Sequence, residues 1–283
     1  MTKALKYTTA VFYLFLILLL VRATLGSYLG DIAGNAIYLV GAAAILLFGL
    51  SLSAALKRER EEASGVIEHR RDVLTMDGGA VGTMLPLIAP TVGVVFLFSY
   101  LTSLLLWAAG LEGSEVELLP LFDMLVLHAV IPALVEEMIF RFLPMLLLAP
   151  YSHRWCIVAS SVGFALIHLD LFQIPYALVA GVLFMGVNLL AGSVWPSVII
   201  HFINNSLSVI WIMYCSDGTS AAIFVSVLAA LSVIGLAVVL VHRRHYLGLC
   251  RGLLQGGEPC RNMLPFASII ALTLFITVTN MLL

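Results

Sequence analysis

The sequence predicts an all-α fold, a polytopic transmembrane helical bundle of about eight or nine spans forming a single integral membrane domain over residues 1–283. Three observations carry this. The chain is 62% hydrophobic and only 11% charged, with a mean hydropathy of +1.10, far outside soluble globular composition. Apolar runs recur along its whole length, each near the roughly 20 residues a helix needs to cross about 30 Å of hydrocarbon. The short segments of alternating polarity that a membrane barrel requires are missing. Because lipid satisfies no backbone hydrogen bonds, helices are then the remaining spanning element.

The spans read as approximately 8–28, 33–56, 80–109, 120–149, 155–172, 174–192, 195–214, 219–241 and 264–283. The first follows a short basic start and resembles a secretory signal, but no small-x-small cleavage site follows it, so a first transmembrane helix is the simpler reading. Between the second and third lies KREREEASGVIEHRRDVLTMDGG, residues 57–79, a charged cytoplasmic loop or short surface helix whose interleaved acids weaken a lipid-binding role. In the fourth, Pro132 removes a backbone donor and is expected to bend the helix. In the sixth, Gly181 and Gly186 with Ala180 and Ala191 suit close helix approach. Pro196 fits the first turn of the seventh, which Trp195 and Trp211 bracket as interfacial anchors.

The basic residues test the count, because short loops rich in Lys and Arg stay cytoplasmic. With the N-terminus inside, Lys3, Lys6, Lys57, Arg58, Arg60, Arg70, Arg71, Arg154, Arg243, Arg244, Arg251 and Arg261 fall on one side, twelve of the fourteen. The opposite loops carry Asp31, Glu112, Glu115, Glu117 and Asp217. Arg22 and Arg141 lie within spans. No basic groove for nucleic acid is implied by this distribution. Cys156, Cys215, Cys250 and Cys260 form no CxxC pair and read as free thiols.

Function is carried by three polar stretches inside apolar spans: EEMIFR (136–141), FALIH (164–168) and HFINN (201–205). A Glu or Arg at the centre of a membrane helix costs roughly 2.5 to 3.5 kcal/mol on insertion scales, so these groups must face protein or water. Glu137 and Arg141 stand at i and i+4 and can pair. Glu136, turned about 100° from Glu137, is left free to work. His201 and Asn205 are again at i and i+4, on one helix face, whereas Asn204 points away as a neighbouring polar contact. Glu136, His168, His201 and Asn205 suit one cavity between helices, with His128 and Asp123 at its mouth. For amide hydrolysis this set provides a carboxylate and an imidazole to deprotonate water, and an imidazole and a carboxamide to hold an oxyanion. On the spans above, His168 and His201 fall at different depths. That predicts a fifth span that starts before Arg154, kinks or tilts.

These motifs resemble the EExxxR, FxxxH and HxxxN signatures of the CAAX prenyl protease and bacteriocin-processing family, related to the Ras-converting endopeptidase. The resemblance covers residues 120–215, read as the catalytic core. It implies an intramembrane endopeptidase in which Glu136 and His168 activate water, His201 and Asn205 form the oxyanion hole, and Glu137 and Arg141 support them. The substrate it implies is a membrane-associated peptide or lipidated, CAAX-type protein. Zinc would suit a Glu, His, His, Asn set, but no HExxH is present and a metal-free, cofactor-free site is the reading preferred. Two other classes accommodate the same residues: a non-proteolytic scaffold or bacteriocin-immunity protein, and a proton-coupled transporter.

Overall fold

The computed structural model describes residues 1–65, 72–111, 118–215, 217–254, 257–258, 260 and 262–282. Among them are ten helices and no strand: α1 (Thr2–Leu29), α2 (Asp31–Ser64), α3 (Gly78–Ala108), α4 (121–147), α5 (His153–Leu166), α6 (Ile174–Ala191), α7 (Trp195–Tyr214), α8 (Gly218–Val241), α9 (Arg243–Leu254) and α10 (Leu264–Leu282). Six of these, α1, α2, α3, α6, α7 and α8, are individually long and apolar enough to cross a membrane. The protein is an integral membrane protein.

The expected spans differ from the helices in three places. Residues 57–64 are not loop, because α2 continues through them to Ser64; residues 66–71 lie outside the described residues. The helix α4 is continuous but passes through two π-helical segments, Val126–Val130 and Met138–Phe142. The expected fifth span, 155–172, is a 14-residue helix that begins at His153, before Arg154, and ends at Leu166. At 1.5 Å per residue that is about 21 Å, too short to cross alone.

Proline explains the π segments. Each ends just before a proline, Pro132 or Pro144, whose ring clashes with the carbonyl four residues earlier. Widening the preceding turn relieves the clash: the N–H of Ile131 donates to the carbonyl of Val126, and that of Leu143 to that of Met138, both five residues back. The bend expected at Pro132 is thus a register change. Glu136 and Glu137 lie between the two segments.

One face of α4 is fixed by aromatic packing from α1. Phe140 is fully buried, its ring 4.8 Å from that of Phe12 and 5.4 Å from that of Phe15 between centroids. Gly163 on α5 makes room for this cluster, since a Cβ there would meet the Phe12 ring at 2.4 Å. The opposite face of α4 is left for the cavity.

Helices α6 and α7 are joined by a tight turn through Gly192 (φ 68). The buried Asn188 carboxamide closes it, donating to Ser197 Oγ (2.7 Å) and accepting from the Ser197 N–H (2.9 Å). This tie sets the register of α7 one turn before His201. At the far end of α7, Asp217 caps α8, accepting from the N–H groups of Thr219 and Ser220 at 2.9 Å. The Ser220 side chain and these N–H groups hold the Asp217 carboxyl below its usual range, which keeps that loop anionic.

The small residues of α6 divide in role. A Cβ on Gly181 would lie 2.7 Å from Ser161 Cα on α5, so Gly181 sets a close backbone contact. Gly186 has no neighbour within 4 Å of such a Cβ and does not serve the packing role expected of it. Gly181→Ala should therefore destabilise the fold by about 1–3 kcal/mol, while Gly186→Ala should be neutral or better. Unfolding of the two variants in detergent, monitored by circular dichroism, measures the difference.

Candidate active site

The candidate residues come together at one cavity of about 640 Å³ walled by α3, α4, α6, α7 and the α5–α6 turn. Glu136, His168, His201 and Asn205 all line it. So does His128, whereas Asp123 is exposed and does not. Asn204 also lines the cavity, contrary to the expectation that it points away.

Glu137 is the fixed point. Its side chain is fully buried; its Oε1 forms an ion pair with Arg141 Nη1 at 3.1 Å and a hydrogen bond with His201 Nδ1 at 2.8 Å. The expected i, i+4 pair with Arg141 is thus present, while the contact to His201, 64 residues away, has no sequence signal. Arg141 is held on its other side by aromatic faces, 3.9 Å above the Phe164 ring and 5.4 Å from that of Phe184. Such contacts stabilise a cation that lacks water. They matter here because, among the described residues, none of the three guanidinium nitrogens has a hydrogen-bond partner, the contact to Glu137 being an ion pair.

Glu136 stays outside the Glu137–Arg141 pair, as its offset of about 100° from Glu137 predicts. Its side chain is 16% exposed, and its Oε2 lies 3.9 Å from His201 Nε2. Nδ1 of His201 donates to Glu137, so the ring plane is fixed and Nε2 is the nitrogen that faces Glu136 and the cavity.

His168 is not inside a helix. Beyond Leu166, α5 ends in a turn in which Leu169 takes φ 51, a left-handed conformation that costs a non-glycine residue about 1–2 kcal/mol. Asp170 holds the turn, its Oδ1 accepting from the Phe172 N–H (2.8 Å) and its Oδ2 from Gln173 Nε2 (2.9 Å). His168 Nδ1 donates to the carbonyl of Phe164 (2.8 Å), one of the orphan acceptors at a helix C-terminus. Its Nε2 is then the free nitrogen. Early termination of α5 also removes the conflict in depth: the Phe164 ring stands 5.0 Å from that of His168 and 5.7 Å from that of His201, nearly perpendicular to both. The phenylalanine of FALIH is the spacer between the two imidazoles.

Asn204 Nδ2 donates to Asn205 Oδ1 at 3.4 Å. That contact occupies the acceptor of Asn205 and leaves its amide N–H groups to the cavity. The supply of donors near one point is what an oxyanion requires. Among the described residues no group of three His, Cys, Asp or Glu side chains is placed to hold a metal ion; each imidazole has its Nδ1 tied to protein and its Nε2 left over.

Residues 118–207 match the family model described as type II CAAX prenyl endopeptidase Rce1-like. The matched segment contains α4 through the middle of α7, the helices that carry all three motifs. No curated protein and no solved structure matches the chain.

Removing either partner of the buried pair strands a charge. Glu137→Ala and Arg141→Ala should each cost about 3–5 kcal/mol of stability, whereas Glu136→Ala should leave stability nearly unchanged. Thermal unfolding of the three purified variants compares them.

Proposed function

With its central segment in the CAAX protease family, a protease family whose substrates are membrane-associated, we propose that the protein is an intramembrane endopeptidase that hydrolyses peptide bonds with a water activated by Glu136 and His168. The observation that carries this reading is the division of labour between adjacent acids. Glu137 is held by Arg141 and His201, and Glu136, 3.9 Å from His201 Nε2, lines the cavity.

In this mechanism Glu136 takes a proton from water as its oxygen attacks the scissile carbonyl carbon. His168 Nε2, whose partner nitrogen is tied to Phe164, orients and polarises the same water. The carbonyl oxygen becomes an oxyanion that accepts from the Asn205 carboxamide and from His201 Nε2. Because His201 Nδ1 already donates to Glu137, Nε2 donates only when the ring carries both protons, a state the Glu137 carboxylate accommodates. The tetrahedral intermediate collapses with cleavage of the C–N bond, and the leaving nitrogen takes the proton from Glu136. A buried, preorganised donor set of this kind is worth more than the same donors in water. No step needs a metal or cofactor.

Cleavage of a panel of fluorogenic membrane peptides, prenylated and not, by detergent-purified protein tests the proposal. Glu136→Ala and His168→Ala should each lower turnover by about 10²–10⁴-fold, and a zinc chelator should leave it unchanged. Full activity of Glu136→Ala, or its loss on chelation, contradicts the mechanism. His201→Gln, which keeps a side-chain N–H donor, should retain more activity than His201→Ala, whose loss should be about 10²–10³-fold.

A further inference from the structure

The cavity occupies one half of the bundle: its lining takes the second half of α3 (Val95 to Ser103), the first half of α4 (Met124 to Glu136), α6 as far as Phe184, and α7 from His201 to Ile212. Its lining runs from the buried Phe184 and His201, beside Glu136, to the half-buried Asp170 and Gln173 and the exposed Ile212 at the ends of their helices, which form its rim. The rim residues belong to the α5–α6 turn and the last turn of α7. At that same end lie the α1–α2, α3–α4 and α7–α8 connections.

Toward the other end the site is sealed. Ser193, Val194, Ser197, Leu147 and Leu148 are all fully buried beneath it. The α6–α7 turn is closed by the tie between Asn188 and Ser197. The chain preceding α3 covers it, with the Val194 N–H donating to the carbonyl of Val73 (2.9 Å) and Trp195 Nε1 to that of Leu74 (2.7 Å).

The two ends differ completely in charge. At the sealed end Lys3 pairs with Glu59, Arg60 Nη1 donates to Tyr151 Oη (3.1 Å), and the carbonyl of Tyr151 accepts from the Glu258 N–H (2.9 Å). These contacts gather the start of α1, the end of α2, the α4–α5 turn and the approach to α10 on one side. Among the described residues, Lys3, Lys6, Lys57, Arg58, Arg60, Arg154, Arg243, Arg244 and Arg251 lie in the segments of that side. The described connections at the open end carry Asp31, Asp170 and Asp217 and no Lys or Arg, and the sequence of residues 112–117 and 216 has no Lys or Arg either.

Short loops rich in Lys and Arg are retained in the cytoplasm during insertion, and short loops without them cross. We infer that the cavity opens on the extracytoplasmic face, so that the enzyme acts on translocated peptides or on extracytoplasmic juxtamembrane segments of membrane proteins, and not on carboxyl-terminal sequences lipidated in the cytosol. The substrate class rests on the peptidase reading given above; the orientation does not. A peptide entering from the outside reaches Glu136 through the polar rim without crossing the bilayer. A cytosolic tail would have to pass the sealed floor.

The native thiols report orientation independently of activity. Cys215 adjoins the rim, and Cys250 lies exposed on α9 at the basic end; Cys156 is buried. Two variants, C250S/C260S and C215S/C260S, each leave one reactive thiol for a membrane-impermeant maleimide applied to intact bacterial cells or to permeabilised ones. The inference predicts that Cys215 reacts in intact cells and Cys250 only after permeabilisation. The reverse pattern overturns it. If Cys215 is too slow to react, Gln173→Cys on a background without Cys215, Cys250 and Cys260 places a thiol on the rim itself.

The second arm uses a single-span reporter carrying the peptide that the purified protein cleaves best, placed on either side of the membrane and coexpressed with wild type or Glu136→Ala. Cleavage confined to the outer reporter, and lost with Glu136→Ala, supports the substrate class. Cleavage of the inner reporter alone refutes the orientation while leaving the peptidase intact. If the purified protein cuts no peptide, the peptidase reading and the substrate class fall together, and the labelling pattern still decides the orientation.

Discussion

The site depends on a single buried oxygen. Glu137 Oε1 neutralises Arg141 and receives His201, so one carboxylate fixes the buried Arg141 cation and the orientation of an imidazole from a different helix. A charge in a membrane interior is tolerated when it is paired and surrounded by polarisable groups. Here the pairing is completed by the faces of Phe164 and Phe184. Everything reactive is set relative to that anchor: Glu136 by being the next residue, His201 by direct contact, and His168 by the perpendicular contact of its ring with Phe164. The motif EEMIFR is an acid that works beside an acid that braces.

Around this anchor the helices are shaped by proline and by aromatic packing. The π segments before Pro132 and Pro144 change the register of α4 on either side of the two acids. The phenylalanines of α1 press on its back at Phe140. Residues on the lipid-facing helix α8 are mostly exposed, in keeping with a helix that completes the wall without entering the site.

The bundle and the paired charges were legible in the sequence because both depend on local spacing. Hydropathy over about 20 residues defines a span, and i, i+4 spacing defines Glu137 with Arg141. Three things were not legible. The bond from His201 to Glu137 joins residues on separate helices, which no periodicity encodes. The end of α5 at Leu166 was masked because its following turn, IHLDLFQ, is as apolar as a helix; that composition suits a turn that borders a cavity within the membrane. Asp170 and Pro175, a turn former followed by a residue suited to a first helical turn, were the available signals. The reach of the cavity to Asn204 depends on how α7 is rotated, and the buried tie between Asn188 and Ser197 fixes that rotation from outside the three motifs.

The central claim is that Glu136 and His168 hold the attacking water while His201 and Asn205 face the oxygen of the scissile bond. A structure of the Glu136→Gln variant bound to an uncleaved membrane peptide tests it most directly. The account predicts the scissile carbonyl at the cavity floor, its oxygen within hydrogen-bond distance of Asn205, with the His201 contact to Glu137 intact. A peptide whose carbonyl oxygen points at residue 136, or whose scissile bond lies away from His201 and Asn205, would contradict the account.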